Sequence, residues 1–178
     1  VCSNDSSGCG VESSFAYGAW NQSVTTTEGF IGHVVYADSR STVREFSYGF
    51  VNASCPSTSA LIAKRSSVAN GASQSWEVIW RGYGANHATG FLRSGIVGKV
   101  LEPGAYYALV LGFDCGTASS GIHRSAAGTT GNDLGIGLTV GSVTKVGSYV
   151  SLSVGSFLTM NFDGLQDLYR TEVDVRSL

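Results

Sequence analysis

The sequence predicts an all-β fold, a disulfide-stabilised β-sandwich or jelly roll of about ten strands. Apolar residues recur with period two along most of the chain, and no window of helical length carries a convincing helical stripe. Turn-forming glycine reaches 24 of 178 residues, and charged residues make up only 13%, about half the usual globular share. Short strands joined by polar turns suit that composition.

The length fits one domain with a sizeable core. The expected organisation is a disulfide-closed segment at 1–13, a sandwich domain at 14–163 and an acidic strand or tail at 164–178. Residues 14–20 form the first candidate strand. In 30–36, Phe30, Val34 and Tyr36 share one face and Ile31, His33 and Val35 the other, so both faces look partly covered. In 45–51, Phe46, Tyr48 and Phe50 alternate with Glu45, Ser47 and Gly49, the signature of a half-buried strand.

Residues 60–64, 75–81 and 91–97 follow as strands. Residues 105–113 are apolar on both faces and predict a central strand, introduced by the turn Glu102-Pro103-Gly104. Residues 134–140, 149–154 and 157–162 complete the set. The Gly-Ser-rich stretch 116–131 reads as a long loop, and 164–178, with Leu168, Val173 and Val175, as one more strand or a short helix. Many short strands at close spacing argue for a sandwich over a barrel.

The four cysteines, Cys2, Cys9, Cys55 and Cys115, are even in number and contain no C-x-x-C pair, which points to disulfides rather than a metal knuckle. Three connectivities are open. Cys2 with Cys9 and Cys55 with Cys115 are favoured, because Cys55 and Cys115 each follow an apolar strand and lead into a loop. The start at Val1, with no signal-like apolar stretch, is what a processed export product looks like, so the expected location is secreted or at the cell surface. Asn4, Asn21 and Asn52 are glycan acceptors if the host is eukaryotic.

The net charge is −2, and no basic run exceeds Lys64-Arg65, so nucleic acid is not an expected partner. No apolar run reaches the length of a membrane-spanning helix, so membrane insertion is not expected either. Catalysis finds no anchor: there is no G-x-S-x-G elbow, and no carboxylate pair stands out for glycoside hydrolysis. His33, His87 and His123 lack metal-site spacing, and no cofactor is expected.

Four residues remain as ligand-binding candidates. His123-Arg124, expected in a loop beside Asp114, would suit an anion or a sugar. Trp76, Val78 and Trp80 are read as one strand face turned to the core, which leaves Tyr83 with His87 in the following loop. Asn161, Asp163 and Asp167 form a fragment of a calcium loop without its terminal glutamate, for which an ordinary Asp-Gly turn is the simpler reading.

The run from Phe91 to Phe113, with the strand before it at 46–51, resembles the β-sandwich modules of large secreted bacterial surface proteins. There a strand ends in a Leu-x-x-Gly-x-x-Tyr turn, here Leu101, Gly104 and Tyr107, and an apolar central strand follows. The likeness spans residues 28–142, and the cysteines lie outside its pattern. It implies a non-catalytic module.

The functional expectation is therefore a structural or adhesive subunit that self-assembles through β-strand edges, as a filament, pilus-like fibre or coat, with other copies of itself as partner. Residues 11–20 are the expected donor of an added strand. The alternatives are a carbohydrate-binding module that takes surface glycans and a hydrolase of unknown class.

Overall fold

The computed structural model describes residues 12–17, 22–50, 55–83, 87–88, 90–117, 120–124, 133–164 and 169–178. All regular elements among these are strands: β1 (Glu12–Tyr17), β2 (Gln22–Thr26), β3 (Glu28–Tyr36), β4 (Ser41–Gly49), β5 (Ser57–Arg65), β6 (Ser73–Tyr83), β7 (His87–Ala88), β8 (Phe91–Arg93), β9 (Lys99–Leu101), β10 (Tyr106–Asp114), β11 (Ser120–Arg124), β12 (Thr139–Val146), β13 (Phe157–Asp163) and β14 (Thr171–Ser177). The chain is all-β.

Six strands, in the order β10-β3-β12-β13-β6-β5, close into an antiparallel barrel. A second sheet runs β1-β14-β4-β8-β7, with β9 also on β4, and β2 pairs with β11 as a separate ribbon. The closed barrel is the departure from two open sheets. It is completed by β13, whose alternation of exposed Phe157, Thr159 and Asn161 with buried Leu158, Met160 and Phe162 lets it span β12 and β6 with one face inward.

Two apolar cores follow from this plan, and β10 serves both. Its Ala108 and Val110 face the barrel interior with Phe30, Leu61 and Trp76, while Leu109, Leu111 and Phe113 face Phe46, Tyr48 and Val173 of the second sheet. The expectation of a central strand covered on both faces holds, as it does for β3. The barrel interior is narrow, and glycines make room: a side chain at Gly112 would strike the Phe30 ring, and a Cβ at Gly32 would lie 2.5 Å from the Leu109 carbonyl oxygen.

The expected disulfide Cys55–Cys115 is present and ties the chain just outside the Ser57–Asp114 end of the β5–β10 ladder. Cys2 and Cys9 lie outside the described residues, as do Asn4, Asn21 and Asn52. The turn before β10 also holds, with Gly104 at φ 88°.

Several boundaries move. Residues 91–97 divide into β8 and a loop, and β9 follows. Residues 134–138 are a turn ahead of β12, which runs on to Val146. Residues 149–154 are not a strand: Tyr149 and Leu152 pack on the barrel interior core, and Tyr149 stacks on Phe30 at 5.7 Å. The stretch expected as a long loop holds β11, and the segment expected as a strand or tail contains a strand, β14, seated between β1 and β4.

The Trp76–Trp80 face is corrected by a bulge. Ile62 pairs with Trp80 but Ala63 pairs with Val78, so Ile79 is an extra residue and the alternation reverses. Trp76 is therefore fully buried inside the barrel, while Trp80 packs on the outer core. A second bulge at Arg44 in β4 keeps both Val43 and Phe46 facing inward.

Candidate functional site

Tyr83 closes β6 in the barrel, opposite Ser59, whereas His87 lies in β7 of the second sheet, opposite Leu92. The two candidates thus belong to different sheets. His123 and Arg124 end β11, paired with Ser23 and Gln22, so they stand on a strand rather than in a loop. Asp114 is engaged locally, accepting the Gly116 N–H at 2.9 Å.

Asn161 and Asp163 lie two residues apart on β13, and Asp167 falls outside the described residues. The Asn161 side-chain oxygen accepts a hydrogen bond from the Ser73 hydroxyl, and Asn70 accepts the Gly164 N–H at 2.7 Å. This is the bonding of a turn anchored to its neighbour. Among the described residues no three His, Cys, Asp or Glu side chains group as metal ligands.

The most unusual polar cluster is buried between barrel and second sheet. His33 on β3 is 0% exposed and accepts the Tyr169 N–H on Nε2 at 2.8 Å. The Tyr48 hydroxyl on β4 accepts the His33 N–H at 2.8 Å and donates to the Leu109 carbonyl at 2.5 Å. Because Leu109 and His33 are register partners, Tyr48 reaches across the interlayer core into the β3–β10 ladder. Burial pushes the His33 pKa down to about 3, so the imidazole is neutral. Its ring lies 5.7 Å from Tyr169 and 5.2 Å from Tyr48. Enclosed on all sides, this group registers the two layers against each other and offers no access to a substrate.

Surface aromatic character gathers elsewhere. Tyr36 at the end of β3 and Tyr106 at the start of β10 are register partners with ring centroids 4.9 Å apart and planes tilted by 57°. Tyr36 is 40% exposed, and Leu138, whose carbonyl accepts the Tyr36 N–H, is 51% exposed. Sequence alternation placed Tyr36 with Phe30 and Val34 on a core face. That face is indeed the barrel interior, but Tyr36 stands at its rim.

The remaining feature is an edge. β1 pairs with β14 from Glu12 opposite Arg176 to Tyr17 opposite Thr171, and this ladder is its one strand pairing among the described residues. No described strand covers its far side, and the N–H and C=O groups of such an edge are the template on which another strand adds. Proline and lysine, which commonly block such edges, are absent from it. The other edges of this sheet are short, two residues at β7 and three at β9. The β2–β11 ribbon is tied to the sheet by the bridge between Ile122 and Phe50.

No protein-family model, curated protein or solved structure matches this chain.

The signal for the β1 edge was present in the sequence as an uncharged stretch after Glu12. The signal for the His33 cluster was a histidine in an apolar strand, with its partners Tyr48 and Tyr169 far away in sequence.

Proposed function

We propose that this chain is a non-catalytic, secreted or cell-surface structural subunit that self-assembles through β-strand edges, in a filament, pilus-like fibre or coat. The observation that carries this reading is the six-residue edge of β1, uncovered among the described residues, beside a barrel whose six strands are each paired on both sides. The Cys55–Cys115 disulfide supports an oxidising, extracellular setting. Packing of the second sheet over the barrel wall across one apolar core supports the sandwich-like arrangement expected of such a subunit. Electron microscopy of the purified chain at rising concentration tests the proposal: fibres or regular particles are expected, and dispersed monomers throughout would reject it.

A second reading, a carbohydrate-binding module, is favoured by exposed Tyr36 beside half-buried Tyr106, since tyrosine faces stack on sugar rings and barrel mouths commonly hold ligands. Glycan-array binding that disappears in Tyr36→Ala would promote it.

A further inference from the structure

We infer that assembly proceeds by exchange of β1 between copies, β1 of one chain pairing with β14 of the next in the register that joins them within a single chain. The inference rests on the self-assembly reading above and names its partner, a second copy of this chain, and its contact.

The acceptor surface for β1 is already defined. β14 receives β1 over an unbroken register, Glu12 with Arg176, Ser14 with Asp174, Ala16 with Glu172, and its other side is held by β4. Removing β1 leaves β14 with one unsatisfied row of backbone groups, which the same strand from another copy satisfies in full.

β1 is also separable from the rest of the fold. It belongs to the second sheet, whereas β2, the next strand, belongs to the ribbon with β11. Withdrawing β1 breaks its ladder to β14 and leaves the β2–β11, β14–β4 and barrel ladders in place. Residues 18–21 separate β1 from β2 in the sequence. Since the closed and exchanged states contain the same ladder, their hydrogen bonds and strand contacts cancel. The balance is then set by the connection and by protein concentration.

A pairing of two β1 strands across their outer edges would also join two copies, and the test separates the two routes. In a full-length Cys2→Ser, Cys9→Ser background, Ser14→Cys and Asp174→Cys place thiols on register partners of β1 and β14. Oxidised while dilute, this variant has β1 locked to its own β14. Exchange predicts that the locked chain stays monomeric where the parent assembles, and that reduction restores assembly. As a second arm, single Ser14→Cys and Asp174→Cys chains are mixed under assembly conditions and oxidised. Exchange predicts a disulfide-linked pair at twice the chain mass on a denaturing gel. A locked chain that assembles as its parent does overturns exchange and leaves edge assembly standing. A parent that remains monomeric, with no linked pair from the mixture, overturns both.

Discussion

The barrel and the second sheet are made from similar short antiparallel strands, yet they treat their edges and their polar groups differently. In the barrel each of the six strands has two partners, and the interior is lined by apolar side chains such as Phe30, Leu61, Val110 and Leu158. The Trp76 indole N–H is buried among them and has no acceptor among the described residues. Among the described residues the second sheet ends at β1, carries Glu172, Asp174 and Arg176 as the half-buried members of β14, and contributes Tyr48 to the buried contact with His33 and Leu109. Closure removes the hazard of a free strand edge, and an open sheet keeps it as a means of association. The polar key between the layers then fixes how the open sheet sits on the closed one.

The largest expected effect concerns the barrel wall. Cys55 and Cys115 are separated by 60 residues, so the chain-entropy argument gives the bridge about 4 kcal/mol. The double replacement Cys55→Ala, Cys115→Ala should lower the urea midpoint accordingly. A loss below about 1 kcal/mol would mean that barrel closure alone carries the stability.

Next comes the interlayer histidine. With its pKa pushed down from 6.5 to about 3, His33 is neutral when folded across a range where the unfolded chain binds a proton. Full stability is therefore present above pH 6.5, falls as pH drops toward 3, and levels off below. The slope is about 1.4 kcal/mol per pH unit, or about 3 kcal/mol between pH 6.5 and 4.5. Urea titrations at pH 7.5 and 4.5 should show this difference, and His33→Gln should lose that share of it. An unchanged pH dependence in the variant would place the acid sensitivity elsewhere.

A smaller effect is expected of Tyr48→Phe, which withdraws the hydroxyl from the His33 N–H and the Leu109 carbonyl while keeping the ring. A loss of about 1–3 kcal/mol is expected from leaving these buried groups without it. Denaturation at neutral pH measures it, and no loss would show that the layers do not depend on this key.

The features legible in the sequence were those set by local alternation. The two-faced β10 and β3, the inward Phe46 and Tyr48, the Pro-Gly turn and the Cys55–Cys115 pair could all be read from short windows. Alternation failed where an extra residue reverses it, at Ile79 in β6, which sent Trp80 to the opposite core from Trp76. It also misled at 149–154, where Tyr149 and Leu152 plug the barrel from a loop and imitate a strand. Barrel closure was hidden because it depends on β13 meeting both β12 and β6, a long-range choice that no single window encodes. Of the candidate sites, the aromatic group was expected at Tyr83 and His87, yet the ring pair at the surface is exposed Tyr36 with half-buried Tyr106, far apart in sequence and brought together only through the β3–β10 ladder. The strand expected to serve association, by contrast, does lie on an edge.

Sedimentation equilibrium of the full chain beside a full-length Ser13→Pro, Phe15→Pro variant tests the central claim most directly, because proline in β1 removes the N–H groups on which pairing through that strand depends. The account predicts a mass that rises with concentration for the unaltered chain and a folded monomer for the variant. Equal association of the two, or a monomer in both, would contradict it.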